Sequence, residues 1–132
     1  MKMVLIAFAL VAAPALARET KKSAPIKKPL LHEAGKVATI VGEVIDPVCF
    51  LDHGDRGASH LECAKECAKN GVGLAILEEH TDQIYLSLPT DHTAPNAKLF
   101  PLISRRVKVT GEVLRGGGIQ GISIHKVTAL GP

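Results

Sequence analysis

The stretch RVKVTGEVL, residues 106–114, alternates apolar and polar side chains with the period of two that is typical of a strand. Three valines share one face with Gly111, and the stretch IVGEV, residues 40–44, carries the same Gly-Glu-Val sequence. A glycine inside a strand indicates a bend or a close approach of another backbone. The two stretches are therefore predicted to be bent strands with similar roles in one curved sheet.

The same patterning gives the other elements of the chain. The five predicted strands cover residues 37–45, 73–77, 82–88, 106–114 and 119–127. A short helix is predicted from about Ala94, broken by Pro101, and the glycine bends supply the curvature that closes a small sheet. This order is typical of an OB-type barrel. The predicted fold class is all-β with short helices: a five-stranded OB-type barrel, residues 36–132, with a helical Cys/His insertion at residues 46–71 between the first two strands.

The first residues of the chain are predicted to lie outside this domain. Residues 1–17 have the features of a signal peptide, namely Lys2, an apolar run too short to span a bilayer, and the cleavage sequence Ala15-Leu16-Ala17. Residues 18–35 are predicted to be a basic flexible linker, because their lysines and prolines cannot bury apolar surface. The protein is therefore predicted to be exported, periplasmic or secreted, with no transmembrane segment in the mature chain.

Charge and aromatic content exclude some functions of OB-type domains. Lys2 and residues 18–29 hold six of the 16 basic and one of the 13 acidic residues, which leaves 10 basic and 12 acidic residues. Binding of nucleic acid needs a basic groove and aromatic side chains that stack on bases, and neither is evident here. No glycine-rich phosphate loop follows a strand, and no serine lies in a nucleophile elbow. The sequence predicts no nucleic-acid partner and no enzymatic activity.

The insertion contains the stretch SHLECAKECAKNG, residues 59–71, which predicts a helix of about three turns. Ser59 and a glutamate three residues later have the spacing of a capping box, and an Asn-Gly pair ends the helix. At about 100° per residue, His60, Cys63 and Cys67 form one stripe along this helix.

A third cysteine, Cys49, follows the first predicted strand, and the turn-forming residues 52–57 allow the helix to fold back across it. The four converging side chains are Cys49, His60, Cys63 and Cys67. Three thiolates and one imidazole are a recognised set for tetrahedral zinc, and soft thiolates also suit Cu(I). The sequence predicts one bound ion, zinc or Cu(I), with a structural or a metal-carrying role.

A disulfide is the competing interpretation of the same cysteines. Cys63 and Cys67 lie four apart on a helix, where a disulfide would be strained, whereas Cys49 can pair with either of them. This would leave one free thiol on a disulfide-stapled OB-type module that binds an envelope protein partner. A redox thiol pair is a further alternative.

The sequence also resembles a known group of domains, and this resemblance supports the predicted fold and the Cys/His cluster. The chain resembles a group of small exported bacterial OB-type domains. The resemblance rests on Gly42-Glu43-Val44, Asp46, Cys49, Gly57, HxxCAxxC from His60 to Cys67, Gly71, and VxVTG from Val107 to Gly111. The resemblance covers nearly the whole mature domain. It implies a shared Cys/His cluster and an OB-type fold, and it brings no assigned activity.

Overall fold

The computed structural model describes residues 35–131, so the predicted signal peptide and nearly all of the predicted linker lie outside the described residues. The five strands are β1 (Lys36–Ile45), β2 (Ala75–Glu78), β3 (Ile84–Leu88), β4 (Arg106–Gly116) and β5 (Ile119–Ala129). Two helices, α1 (Pro47–His53) and α2 (Leu61–Lys69), lie between β1 and β2. No helix within residues 35–131 has the length and apolar character needed to cross a membrane.

The strands form a closed barrel in the order β1-β2-β3-β5-β4. Residues at one level around the barrel are Ile45, Ala75, Leu86, Gly121 and Leu114. Lys36 pairs with Val113, so Leu114 lies opposite residue 35. A circuit of the barrel that starts at Ile45 therefore ends at residue 35, a displacement of ten residues along the chain (45 − 35 = 10). Such a shift tilts the strands against the barrel axis and fixes the width of the interior. The predicted fold class, an all-β OB-type barrel with the helical insertion after its first strand, is confirmed.

Every strand contributes to the barrel interior. Val44, Ile76, Tyr85, Val107 and Ile122 belong to one buried cluster, and each comes from a different strand. This arrangement follows from the alternation of the strands, because residues two apart face the same side. The same cluster also includes Ala64 of α2 and, from the connecting segments, Leu74, Leu99 and Ile103, so the interior is closed by the strands together with α2 and these segments.

The two glycines at the predicted bends, Gly42 and Gly111, occupy close approaches between neighbouring backbones. A Cβ atom on Gly42 would collide with the carbonyl oxygen of Leu77, and one on Gly111 would collide with that of Ser123. The register between β4 and β5 also shifts between Thr110 and Gly111. The predicted bends thus lie at positions where a side chain does not fit.

The outer face of β3 is apolar as well. Ile84 and Leu86 are only partly buried, and they pack with Phe50 of α1 over a second small cluster that includes Leu77. Helix α1 therefore covers the barrel from outside. This second apolar layer holds the beginning of the insertion in place.

The connection between β3 and β4 differs from the predicted helix. Residues 95–99 form turns, and a short 3₁₀ helix, Phe100–Leu102, follows them with Pro101 in its first turn. Proline fits there because the first N–H groups of a helix have no partner within it. The side chain of Asn96 makes two hydrogen bonds with the backbone of the segment after α2. Its Oδ1 accepts from Leu74 N at 2.8 Å, and its Nδ2 donates to Val72 O at 2.7 Å.

Candidate metal centre

Helix α1 begins directly at the end of β1. Asp46 is its N-cap, and the carboxylate Oδ1 accepts from the backbone N–H of Val48 at 2.8 Å and of Cys49 at 3.3 Å. Pro47 occupies the first turn, where a missing N–H does no harm. The helix was not predicted, although the Asp-Pro pair is a known signal of a helix N-terminus. It places the Cys49 side chain within its first turn.

The loop after α1 returns the chain to the barrel. Helix α1 ends at Gly54 with φ of 74°, and the backbone N–H of Gly57 donates to Glu43 Oε1 of β1 at 2.6 Å. A 3₁₀ turn, Ala58–His60, then leads into α2. The loop is thus held against the strand that precedes the insertion.

The ends of α2 match the prediction only in part. The predicted capping box at Ser59 is wrong, because His60 is the N-cap residue and makes no side-chain cap. The predicted C-terminal exit is confirmed: Val72 N donates to Cys67 O at 3.0 Å, and Gly71 N donates to Ala68 O at 3.2 Å with φ of 98° at Gly71. These two bonds form a Schellman motif.

The three cysteines lie together as free thiols. The sulfur atoms of Cys49, Cys63 and Cys67 all lie within 4.8 Å of one another, and no disulfide joins them. Two sulfurs bound to one tetrahedral zinc at about 2.3 Å are about 3.8 Å apart, so a contraction of about 1 Å or less is enough to reach that geometry. Cys63 is exposed, whereas Cys49 and Cys67 are partly buried. The trio can hold a metal ion on its solvent-facing side.

A second group of donors shares Cys49 with the first. One ligand atom each of Asp46, Cys49 and His60 lies within 4.8 Å of the other two. Asp46 is 1% exposed and His60 is 9% exposed. Asp46 Oδ2 and His60 Nε2 are buried without a hydrogen-bond partner. Buried polar atoms of this kind are rare in proteins, and a missing ion is one physical reason for them.

The other ring nitrogen of His60 faces a carboxylate. Nδ1 lies 3.7 Å from Asp55 Oδ2, and the Asp55 side chain is half exposed in the loop after α1. At 3.7 Å this is a close approach and not a hydrogen bond. Histidines that bind metal commonly direct their second nitrogen at a carboxylate, and a small shift of Asp55 would give His60 such a partner. The orientation leaves Nε2 of His60 directed away from Asp55.

The carboxylate of Asp46 controls the protonation of the nearby thiols. Its hydrogen bond with the Cys49 thiol, together with burial and charge repulsion, raises the pKa of Cys49 to about 12. The same carboxylate raises the pKa of Cys67. For Asp46 itself, burial raises the pKa, but hydrogen bonds from the thiols of Cys67 and Cys49 and from the backbone outweigh burial, so the pKa is lowered. The thiolate is both the nucleophile and the metal ligand of cysteine, so either chemistry has to remove these thiol protons.

Comparison of the chain with protein-family models, with curated proteins and with solved structures finds no match. The resemblance to small exported OB-type domains therefore stays a prediction.

The four residues predicted as ligands divide between the two groups. The structure brings Cys49, Cys63 and Cys67 together, and it brings His60 together with Cys49 and Asp46. Asp46 was not among the residues predicted as ligands, although it belongs to the arrangement on which the resemblance rests.

Proposed function

We propose that this protein binds a soft metal ion, zinc or Cu(I), through the thiolates of Cys49, Cys63 and Cys67. The observation that carries the proposal is the convergence of three free cysteine sulfurs from two helices within 4.8 Å of one another. These are all three cysteines of the sequence. Three thiolates suit both ions, since zinc accepts sulfur and nitrogen ligands and Cu(I) prefers sulfur.

Metal binding has a direct chemical consequence at these thiols. Each thiol that becomes a ligand loses its proton, because the thiolate is the ligand form of cysteine. Binding also stabilises the folded insertion, since the unfolded chain has no preformed site. His60 is the fourth ligand predicted from the sequence, and it approaches the trio through Cys49.

The exposure of Cys63 favours a metal-carrying role over a purely structural one. A structural zinc site is closed by four protein ligands, whereas an ion with a solvent-facing ligand can exchange with an incoming donor. Cys63 is the exposed member of the trio, so transfer would begin on its side. Export to the cell envelope is part of the proposal and is supported by the sequence of residues 1–17 alone.

The test compares metal content and thermal stability across single variants of the purified protein. Cys49→Ser, Cys63→Ser and Cys67→Ser should each lower zinc or Cu(I) affinity by more than about 100-fold, which exceeds the usual effect of an outer-shell partner. Ser59→Ala, an exposed change in the same segment, is the control and should leave affinity unchanged. Metal-free wild-type protein with three reactive thiols and no affinity for either ion would contradict the proposal.

A second candidate function, an interaction module for an envelope protein, is favoured by one groove. Leu51 of α1 is 74% exposed and Ile119 of β5 is 63% exposed. Both line a groove of about 630 Å³ that continues over Ile84 and Leu86. In this interpretation two cysteines form a disulfide and the third stays free. Thiol counting and elemental analysis on the same sample separate the two functions: one free thiol without metal supports the module.

A further inference from the structure

We propose that the insertion binds two metal ions, with the thiolate of Cys49 shared between them. The first ion is that of the proposed function, held by Cys49, Cys63 and Cys67, and the inference rests on it. The second is a zinc ion bound by Asp46, Cys49 and His60. Zinc accepts this mixture of carboxylate, thiolate and imidazole ligands.

The geometry separates the donors into two sets of three. Each set has its ligand atoms within 4.8 Å of one another, and Cys49 is the only residue in both. Asp46 and Cys49 come from the start of α1, and His60 comes from the N-cap of α2. Cys63 and Cys67 follow His60 along α2, and the Asp46 carboxylate also contacts the Cys67 thiol. A bridging position of Cys49 follows from this arrangement.

The burial of the second set points to a ligand independently. Oδ1 of Asp46 already accepts from two backbone N–H groups, and Oδ2 is the oxygen left without a partner. Nε2 of His60 is likewise buried and without a partner. Since Nδ1 faces Asp55, Nε2 is the nitrogen available to an ion. Both open donor atoms belong to the same set of three residues.

Charge balance favours two ions over one. Three thiolates and the Asp46 carboxylate carry four negative charges when all are deprotonated, and two divalent ions neutralise them. A single divalent ion in the cysteine trio would leave an anionic complex beside a carboxylate that is 1% exposed. Excess negative charge at such a buried position is unfavourable, even where the carboxylate accepts hydrogen bonds through Oδ1. The second cation removes this excess, and the three thiol protons leave to solvent.

The experiment counts zinc ions per chain by native mass spectrometry and follows the stoichiometry by equilibrium dialysis. Wild-type protein should bind two ions. Asp46→Asn should bind one, because an asparagine still caps α1 but no longer supplies a charged ligand. His60→Ala should also bind one. Asp52→Asn, an exposed acidic change on the same helix, is the control and should bind two.

Cadmium substitution distinguishes the two positions, since a sulfur-rich and a mixed site give separate ¹¹³Cd resonances. Two resonances in wild type and loss of only the mixed-ligand resonance in Asp46→Asn support the inference. One zinc per wild-type chain, unchanged by Asp46→Asn, overturns the second site and leaves the proposed function intact. Two zinc ions that both persist in Asp46→Asn and in His60→Ala also overturn it. Failure of the wild-type chain to bind any zinc or Cu(I) overturns both proposals.

Discussion

The barrel and the insertion satisfy their buried groups in different ways. Inside the barrel, the buried hydroxyl of Ser87 donates to Pro95 O at 2.6 Å, and the remaining interior is apolar. Within residues 35–131, the two buried side-chain polar atoms without a partner, Asp46 Oδ2 and His60 Nε2, both belong to the insertion. The buried polar groups of the barrel are paired within the protein, whereas two buried polar atoms of the insertion are not.

This difference predicts how the two regions respond to metal. Burial of apolar side chains stabilises the barrel without any ligand, because it depends on surface removed from water. If the proposed function holds, the insertion gains stability from an ion by mass action, since only the folded insertion presents the donors together. Substitutions in the barrel should therefore act equally with and without metal, and substitutions near the thiols should not.

The largest expected effect comes from the barrel interior. Ile122→Ala removes a side chain that is 0% exposed, and the cavity should lower the free energy of unfolding by about 2–5 kcal/mol. Ile119→Ala on the same strand removes a side chain that is 63% exposed and is the matched control, expected within about 0.5 kcal/mol of wild type. Urea unfolding with and without zinc measures both. A cost for Ile122→Ala that depends strongly on zinc would contradict the independence of the barrel.

A smaller effect is expected at the bend of β1. Gly42→Ala places a Cβ atom against the carbonyl oxygen of Leu77, so the backbone has to shift, at a cost of about 1–3 kcal/mol. Gly116→Ala is the control in β4, where a Cβ atom meets nothing within 4 Å. It should leave unfolding unchanged or stabilise the protein by about 0.4–1 kcal/mol. Equal costs for the two variants in urea unfolding would show that the close approach at Gly42 does not constrain the barrel.

In the insertion, Asp55 should act on metal affinity rather than on stability. Asp55→Ala removes the acceptor that faces His60 Nδ1, and zinc binding at the position containing His60 should weaken about tenfold. Asp55→Asn keeps an acceptor oxygen and should retain most of the affinity. Asp52→Ala is the control, because Asp52 pairs with the exposed His53 instead. Competition titration against a zinc chelator measures affinity, and an equal loss in all three variants would exclude a positioning role.

The sequence predicts the barrel better than the insertion for a physical reason. Strand alternation is a local property, so strands such as β4 and β5 can be located from their own residues. Which of the two faces of a strand points into the barrel does not follow from the strand's own residues. Tyr85 points into the barrel, whereas Ile84 and Leu86 lie outside under α1.

The candidate site shows the same limit. Cys49, His60, Cys63 and Cys67 could be named because thiols and imidazoles are distinctive ligands. Their division into two sets could not be predicted, since it depends on how the loop bound by Glu43 places α2 against α1. Asp46 was not predicted as a ligand, because a helix-capping aspartate uses one carboxylate oxygen and the sequence does not show that the other, Oδ2, is buried without a partner.

The smallest expected effect is a pH dependence at a surface ion pair that joins the β2–β3 turn to β4. Arg106 Nε and an Nη atom each lie 2.7 Å from a carboxylate oxygen of Glu79, and His80 lies 3.5 Å away. The hydrogen bonds from Arg106, partly opposed by desolvation and supported by the charges of Arg106 and His80, lower the pKa of Glu79 below its ordinary value of 4.5. Because the folded-state pKa is the lower one, the pair contributes fully above the unfolded-state pKa. Its contribution is lost as the pH falls through the folded-state pKa.

Arg106→Gln should therefore reduce the stability difference between about pH 7 and about pH 3, and added salt should reduce the wild-type difference in the same direction. The control is Arg105→Gln, since Arg105 is exposed and makes no ion pair within residues 35–131. Urea unfolding of the metal-free protein at both pH values measures the pH dependence of the free energy of unfolding without any contribution from metal binding at the thiols. The pair lies outside the insertion, so its pH dependence should be the same in Cys49→Ser. A difference between these backgrounds would mean that barrel and insertion are coupled through the turn beside Glu79, contrary to the independence of the two regions.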